Sequence, residues 1–534
     1  MILTVIISIL LSILSTSVMS YISMATPIGP WIAPTLVLIA MLLFKILRQH
    51  AAYSERLALV TAAGSVGGIL GTACAFSIPT LYFLDPVFFN AWMANPYYFA
   101  AVVTGLAFAG GSFGLWVADV LEHKFIVQEK LSFPIGELTY KMIAAQHQVK
   151  KAFELMVGFV GTAVFCVLKD GLYGFNGIIP RTFTLVPKVS FGLLYIPSIR
   201  FDMWPMVWAI GFVTGHVIAI PLAVGAIANI VLIDPLNRAY FPHISSIEFI
   251  LAFCSGMIIT GTFLSFLGAP KMLWKSIKKM VAASKNGLGG AVGTTHNYAK
   301  YLIELVCILM FIISFLTYFG FSFIAQLYLL FFTFICTHEI ANQAGKIGLA
   351  RLGAFATFVM VPAMLLFNLS LVQIVFIAAF VEICGGVASD MLFGRKLAHL
   401  AAISSTKIRT YQWLGLVVSS LCIGGVFWAL INHFTLGSPE LFALKAQNRQ
   451  LLINARSFDL YVLALGLIFG FVLKKTKINP SLVLGGILMP INISLGLIVG
   501  GLCSLFSKDR ERWYPFWSGV FASNSLWMLI KAIL

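Results

Sequence analysis

Long apolar stretches recur along this chain and constrain its fold more than any other feature. About 20 mostly apolar residues are needed for one helix to cross the hydrocarbon core of a bilayer. Fifteen stretches of that kind can be counted: 2–23, 28–47, 57–83, 97–120, 152–173, 205–232, 246–268, 299–318, 321–338, 344–368, 370–389, 411–431, 457–473, 481–505 and 515–534. Because only 10% of the 534 residues are charged and 60% are hydrophobic, a soluble fold could not cover its surface. The sequence therefore predicts an all-α polytopic membrane protein.

The net charge of +16 comes from short basic runs between the apolar stretches, which is typical of cytoplasmic membrane loops and not of a nucleic-acid-binding surface. Fifteen crossings would place the lysine-rich segment 271–285 outside. That placement contradicts the rule that basic loops lie on the cytoplasmic side. One more crossing, at 183–203, would bring segment 271–285 back to that side, although Pro187 and Pro197 interrupt the stretch. We therefore expect about 16 transmembrane helices (14–16), with both termini cytoplasmic. Segment 183–203 can instead be broken or re-entrant, and the amphipathic segment 131–147 can lie on the membrane or re-enter it.

Several short motifs occur twice in the same order, which indicates an internal duplication. The matched pairs are Ala63–Gly67 with Ala344–Gly348, Ala118–Leu121 with Ser389–Leu392, Gly211 and Gly225 with Gly486 and Gly500, and Ser255-Gly256 with Ser518-Gly519. These pairs predict two tandem homologous halves, 1–292 and 293–534. Internal repeats are typical of secondary transporters, whose substrate site lies at the repeat interface, although channels can be duplicated too.

The sequence lacks the motifs of several other functions of membrane proteins. The sequence has no GxxxxGK[ST] phosphate-binding loop, no HExxH and no regular arginine repeat. Its eight cysteines are scattered singly and mostly within apolar runs, so no zinc spacing or disulfide framework occurs. We therefore expect neither a cofactor nor a bound metal, and no enzymatic activity.

The densest group of polar residues at membrane depth lies between two apolar stretches and includes His338, Glu339, Asn342 and Lys346. His338, Asn342 and Lys346 are spaced by four residues, which places them on one face of a helix. A broken helix here would form a site for substrate or coupling protons, since His and Glu exchange protons and amide side chains bind peptide groups. The alternative is a cytoplasmic hairpin loop.

Four further ionisable residues are candidates because a charge in the hydrocarbon core costs about 2.5–3.5 kcal/mol. Glu382 lies in mid-span beside a Gly-Gly pair, and His216 stands alone in an apolar run, where it can also be a packing residue. Glu137 opens the amphipathic segment after Pro134, and that segment can equally be a surface helix. Asp390 lies at the end of a stretch, where an interfacial helix-end charge is the alternative.

Five segments in order resemble the oligopeptide transporter superfamily, which includes the yellow-stripe-like metal-chelate carriers. They are VTAAGSVGGILGTACAFSIPTLYF, EKLSFPIGELTYKMIAA, ANQAGKIG, SDMLFGRKLAHLAAISSTKIRTYQWLG and SGVFASNSLWML. The chain departs from the family pattern at Ile135, where the family usually has Ser, and at Asn524 and Ser525, where it usually has Gly-Glu. These departures indicate a divergent member.

The resemblance implies proton-coupled import of small oligopeptides, peptide-like solutes or metal chelates. For a secondary transporter, we expect alternating access through movement of one group of helices against the other. The expected partners are that substrate, protons and the lipid bilayer, with no nucleic acid. A homodimer is one option for the assembly, and a bacterial inner membrane is the expected location. A channel or pore, and a flippase or enzyme acting on lipid-linked substrates, are the alternative functions.

Overall fold

The structure is a computed structural model that describes most of the chain. The described residues are 2–26, 31–47, 53–144, 149–171, 177–191, 194–196, 198–257, 259–260, 295–347, 350, 352–454, 459–476, 478, 480–488, 491–507 and 511–533. The lysine-rich segment 271–285 and the predicted boundary between residues 292 and 293 lie outside them. The chain divides into two compact units, each drawn from separate parts of the sequence.

The first unit comprises Met1–Ser23, Ile28–His147 and Ser265–Asn432. Its helices are α1 (Ile2–Ala25), α2 (Ala33–Ile46), α3 (Tyr53–Ser77), α4 (Thr80–Leu84), α5 (Pro86–Met93), α6 (Pro96–Glu122), α7 (Pro134–Ala144), α13 (Thr295–Tyr318), α14 (Phe323–Ile347), α15 (Leu352–Leu366), α16 (Leu371–Leu400) and α17 (Ser405–His433). A π-helical segment, His123–Gln128, extends α6. Helix α16 packs against α3, α6, α14 and α15, so it lies at the centre of this unit.

The second unit comprises Met24–Pro27, Gln148–Leu264 and His433–Leu534. Its helices are α8 (Val149–Asp170), α9 (Pro205–Thr214), α10 (His216–Ala228), α11 (Asp234–Tyr240), α12 (Ser246–Met257), α18 (Leu444–Ile453), α19 (Leu460–Lys475), α20 (Pro480–Leu488), α21 (Ile491–Phe506) and α22 (Tyr514–Ile533). A π-helical segment, Asn229–Ile233, joins α10 to α11. The main packing pairs are α8 with α22, α9 with α21, and α10 with α20.

Seven helical segments among the described residues are long and apolar enough to cross a membrane. They are Ile2–Ala25, Ser54–Leu84, Pro96–Gln128, Ala219–Tyr240, Phe323–Gly345, Leu371–Leu400 and Ser405–His433. Many large apolar side chains on these segments, such as Phe331 in α14 and Leu421 in α17, are exposed. Exposed apolar side chains on spanning helices are what a hydrocarbon environment favours. The prediction of a helical, multi-pass membrane protein is confirmed at this level.

The segment predicted as a sixteenth crossing is not helical, so that interpretation of 183–203 is wrong. Strand β1 (Thr182–Val186) pairs antiparallel with β4 (Ile199–Asp202), and β2 (Val189–Phe191) pairs with β3 (Leu194–Ile196). Most of β1 is exposed. Pro187 and Pro197 separate short runs rich in β-branched and aromatic residues, which favour strands over a helix.

The polar segment that begins at Thr337 forms a continuous helix, which neither interpretation of the sequence predicts. Helix α14 continues without a break through Thr337, His338 and Glu339 to Ile347. Most of these residues are buried. The hairpin-loop and broken-helix interpretations are therefore both wrong for residues 337–347, and the helix ends later than the apolar pattern indicates.

Candidate functional site

Helix α16 carries the charged residues of the first unit into its interior. The helix begins with a capping box in which Ser370 and Gln373 satisfy each other's backbone amides. Its apolar first half, from Leu371 to Val381, is followed by buried polar residues. Glu382, Asp390, Arg395 and Lys396 are exposed by only 1%, 2%, 1% and 8%, respectively. A single helix thus buries four ionisable side chains, each of which needs a partner or a proton.

The partner of Asp390 is a hydroxyl group on α3. Ser65 donates its Oγ hydrogen to Asp390 Oδ2 at 2.7 Å. Within the described part of the chain, no basic side chain lies at ion-pair distance from Asp390. Among the described residues, the partner of the Asp390 carboxyl group is thus a hydroxyl and not a cation.

Glu382 has a similar arrangement eight residues earlier in α16. Its Oε2 accepts a hydrogen bond from the hydroxyl of Ser77, which also belongs to α3. Gly353 in α15 lies close to the other side of the carboxyl group, since a Cβ there would be 3.5 Å from Glu382 Oε1. Helix α3 thus provides a serine hydroxyl to both carboxyl groups, and α3 and α16 run antiparallel.

The polar group on α14 lies beside α16 and is largely satisfied within its own helix. Glu339 accepts hydrogen bonds of 3.2 Å from the side-chain amides of Asn342 and Gln343. Thr337 donates to Cys384 Sγ of α16 at 3.2 Å. The carboxylate of Glu339 therefore lies in an amide environment, whereas Asp390 and Glu382 lie against hydroxyls.

His338 faces the π-helical segment that extends α6. Its Nε2 lies 2.9 Å from Nζ of Lys124, and its ring centroid lies 5.1 Å from that of Phe125. A lysine ammonium can only donate, so Nε2 of His338 is the ring nitrogen without a hydrogen when it accepts from Lys124. The side chain of Lys346 lies outside the described residues, although its backbone is part of α14.

The segment before α7 closes over the end of α14. Phe133 N donates to Gly345 O at 2.8 Å, and Lys396 Nζ donates to Leu131 O at 3.0 Å. Phe133 has a φ of 47°, a left-handed conformation that is rare for a large side chain and that neighbouring contacts must hold. Glu137 follows in α7, where it is half-buried.

A small cavity lies between α2, α3, α7 and α16, directly beside the Ser65–Asp390 pair. Its volume is about 10 Å³. The lining residues are Ala33, Thr61, Ala62, Ser65, Gly136, Thr139, Phe393, Gly394 and Leu397. Gly136 allows this close approach of α7, since a Cβ there would lie 2.6 Å from Phe393 O. Three hydroxyl-bearing side chains thus share one small space next to a buried carboxyl group.

Near the C-terminal end of α16, the buried charge of Arg395 is paired with carboxylates. Arg395, whose side chain is fully buried, forms ion pairs with Asp119 and with Glu122, the latter at 3.0 Å, and donates to Gln412 at 3.3 Å. Arg409 in α17 joins Asp119 at 2.9 Å to Glu304 at 2.6 Å. These five charged residues, which we call the ion-paired chain, connect α6, α13, α16 and α17.

The sequence-predicted residues therefore fall into two sets. His338, Glu339, Asn342, Glu382, Asp390 and Glu137 belong to the first unit, around α16 and its neighbours. His216 belongs to the second unit, where it is exposed at the start of α10 after Gly215, whose φ is +68°. Sequence reasoning missed Ser65, Ser77 and Lys124. Ser65 lies within the Ala63–Gly67 motif, which was the available signal.

None of the described residues suggests a metal centre, because no group of three His, Cys, Asp or Glu side chains comes together among them. Long apolar helices and ionisable groups buried within them define an integral, multi-pass membrane protein. The chain belongs to the OPT oligopeptide transporter family, whose sequence profile matches residues 2–523. The resemblance drawn from five motifs is therefore confirmed. A comparison with curated proteins gave no match.

Proposed function

We propose that this chain is a proton-coupled secondary active transporter that imports small oligopeptides, or peptide-like or metal-chelate solutes, across a cytoplasmic membrane. The observation that carries the proposal is the burial of Asp390 and Glu382 in α16 against serine hydroxyls of α3. A charged carboxylate in a spanning helix is costly, and binding a proton removes the charge. A group whose charge depends on a proton can bias the helices around it.

The α14 group gives the substrate side of the proposal. Glu339, Asn342 and Gln343 place a carboxylate and two amides on consecutive turns of a buried helix. Side-chain amides donate and accept hydrogen bonds and so match the peptide groups of a substrate. Contact through Thr337 and Cys384 connects this helix to α16. We assign substrate contact to Asn342 and Glu339, and proton binding to Asp390 and Glu382.

The test is uptake into liposomes that contain the purified protein, with and without an imposed inward proton gradient. The substrates are di- to hexapeptides and metal chelates. Asp390→Asn and Glu382→Gln should each lower gradient-driven uptake by about 5- to 150-fold, the usual range of a coupling free energy between two ligands. Substrate exchange without a gradient should persist, because exchange does not require the proton to be released.

Glu248→Gln removes a negative charge at an exposed position and serves as the control. Glu339→Gln should weaken exchange as well as driven uptake, because we assign it to the substrate. Equal flux of every substrate with and without the gradient would exclude symport. Unchanged driven uptake in both α16 variants would remove those residues from the coupling role.

We also propose that the halves 1–292 and 293–534 are tandem duplicates, whose segments within the second unit are related by a local two-fold symmetry. Two-fold symmetry requires that contacts be exchanged reciprocally between copies. The sequence pairs Gly211 with Gly486 and Gly225 with Gly500. In support, a Cβ at Gly211 would meet Leu497 O, three residues before Gly500, and one at Gly486 would meet Leu222 O, three residues before Gly225.

The pair Gly256 and Gly519 gives the same support independently. A Cβ at Gly256 would meet Leu463 O, three residues before Gly466, and one at Gly519 would meet Leu155 O, three residues before Gly158. Under this proposal, Gly158 and Gly466 are a further pair of equivalent positions in the two halves, in addition to the pairs found from the sequence motifs. Gly211→Ala and Gly486→Ala should lower the unfolding midpoint by similar amounts, and unequal losses would argue against the duplication.

A further inference from the structure

The small cavity beside Asp390 has the size and lining of a site for one water molecule. A volume of about 10 Å³ is close to the lower limit that holds a single water, which also needs two to four polar partners. Thr61, Ser65 and Thr139 line the cavity with hydroxyl groups, and all three residues are at most 4% exposed. The remaining lining residues are apolar or glycine, so the polar partners are concentrated on α3 and α7.

Two of these hydroxyls lie one turn apart on the same face of α3. The hydroxyl of Ser65 already donates to Asp390, so its oxygen lone pairs remain as acceptors toward the cavity. The hydroxyl of Thr61 is buried and has no hydrogen-bond partner among the described residues. An unsatisfied buried hydroxyl is costly, and a water in the cavity would satisfy it. Thr139 instead donates to Ile135 O within α7 at 2.7 Å.

We propose that a water molecule in this cavity relays protons to and from Asp390 through Ser65, with Thr61 as the residue that positions it. This inference rests on the proton coupling proposed above and names its route. The water accepts an incoming proton and passes one of its own protons to Ser65 Oγ. Ser65 passes its original hydroxyl proton to Asp390 Oδ2. One O–H bond breaks and one forms at each relay oxygen, so only Asp390 gains a proton.

The lining also explains why α7 belongs to the site. Gly136 and Gly394 lie at two contacts where a methyl group would collide with Phe393 O and Gln412 Nε2, respectively. Their small size brings α7 and α17 close to α16 and limits the cavity to about one water. The segment Pro134–Gly136, which lies in one of the motifs shared with the family, would thus bound the cavity on one side.

Thr61→Val tests the relay because it replaces a hydroxyl by a methyl of similar volume. Proton-driven uptake should fall by about 2- to 13-fold, the factor that corresponds to one net hydrogen bond. The uptake–pH profile should shift and the solvent deuterium isotope effect should change, since a transferred proton passes through this water. Thr61→Ser keeps the hydroxyl and should therefore keep the wild-type pH profile and the wild-type isotope effect.

Thr333→Val is the matched control. Thr333 in α14 is also buried and its hydroxyl also lacks a partner among the described residues, but it does not line the cavity. Its variant should keep the wild-type pH profile and isotope effect, whatever it does to the unfolding midpoint. A Thr61→Val protein with a lower midpoint but wild-type pH profile and isotope effect would overturn the relay.

The outcomes also separate the relay from the coupling proposal. If Asp390→Asn abolishes driven uptake while Thr61→Val changes neither pH profile nor isotope effect, the relay fails and the coupling role of Asp390 stands. If Asp390→Asn leaves driven uptake intact, the coupling assignment itself fails. Hydroxyls beside a carboxylate also suit Na⁺, so uptake driven by a sodium gradient at constant pH, and not by a proton gradient, would overturn both.

Discussion

Glycines bring helix backbones together in both units, but the first unit also buries Glu382, Asp390, Arg395 and Lys396 along one helix. In the second unit, Gly158, Gly211 and Gly225 each face a carbonyl of the helix they cross. Such contacts are typical of membrane helices, where small residues allow close packing and weak Cα–H···O bonds. They contain no group that gains or loses a proton.

The difference shows where a change of pH or of membrane potential can act. A glycine crossing depends on shape alone, so it stays the same when protons bind elsewhere. The first unit contains both paired charges, in the ion-paired chain, and carboxyl groups against hydroxyls, at Asp390 and Glu382. Among the described residues, protonation of Asp390 would leave no opposite charge unpaired, whereas protonation of a carboxylate in the ion-paired chain would.

The largest effect should come from breaking the ion-paired chain. Arg395→Met removes the fully buried cation that faces Asp119 and Glu122, and leaves two carboxylates with less compensation. Removing one partner of a buried pair costs about 3–5 kcal/mol of stability. We expect a large drop in the unfolding midpoint in detergent, measured by tryptophan fluorescence.

Lys407→Met is the control for that substitution. Lys407 pairs with Glu55 at 2.9 Å, but its side chain is 62% exposed. Its variant should unfold close to the wild-type midpoint, because exposed pairs contribute little. Equal midpoints for the two variants would show that the ion-paired chain does not stabilise the first unit.

A smaller effect should come from closing a glycine crossing in the second unit. Gly158 and Gly161 are both in α8, but a Cβ at Gly158 would meet Phe516 O, whereas one at Gly161 would meet nothing within 4 Å. Gly158→Ala should destabilise by about 1–3 kcal/mol through overpacking. Gly161→Ala should be neutral or stabilising, because Ala favours helix over Gly.

The same two variants sharpen the comparison between units. A Cβ at Gly158 would meet the backbone of Phe516 first, and one at Gly161 would meet nothing within 4 Å, so the pH profile of transport should be unchanged in both variants. A shifted pH profile in Gly158→Ala would contradict the assignment of proton binding to the first unit. The measurements are the unfolding midpoint and the uptake–pH profile in liposomes.

The smallest effect should concern Asp202, a carboxyl group of the second unit that lies in strand β4 and outside the spanning helices. Burial raises the pKa of Asp202 above its usual range, and Glu440 adds to this, while the amide of Asn492 and the charges of Lys169 and Arg200 act in the opposite direction. A raised pKa means that the folded state holds the proton more tightly than the unfolded state. The stability this proton provides is present at low pH and is lost as pH rises.

The unfolding midpoint of the wild type should therefore fall relative to Asp202→Asn as pH rises above about 4, the usual pKa of an Asp side chain. The difference should level off once pH passes the folded-state pKa. Glu440→Gln removes a negative charge that raises this pKa, so it should reduce the pH effect. Parallel midpoint curves for wild type and Asp202→Asn would contradict the prediction.

Much of the fold class follows from the sequence because the apolar stretches and sparse charges leave few alternatives. Glu382 was identifiable as a buried carboxylate since it lies among apolar residues, and the motif order identified the family. The partner of Asp390 was not predictable, because Ser65 lies 325 residues away and a serine in a helix has no distinctive pattern.

Two groups of residues were misjudged for physical reasons. Arg395 and Lys396 belong to a basic run between apolar stretches, which indicates a loop, but α16 continues through both residues, and acceptors from distant segments make their burial possible. The strands within 182–202 were mistaken for an interrupted span. Mean hydropathy does not distinguish an apolar hairpin from a short helix when prolines divide the segment.

The division of the chain into units has a consequence for biosynthesis. The first unit takes segments from before residue 147 and from after residue 265, and the second takes the residues between those segments together with the C-terminal residues from 433 onward. At about 5–20 residues per second, Asp390 is synthesised roughly 16–65 s after Ser65. During that interval the polar face of α3 has no α16 to cover it. A chain truncated before α16 would therefore leave Ser65 and Ser77 without the carboxyl groups that they bond in the folded chain.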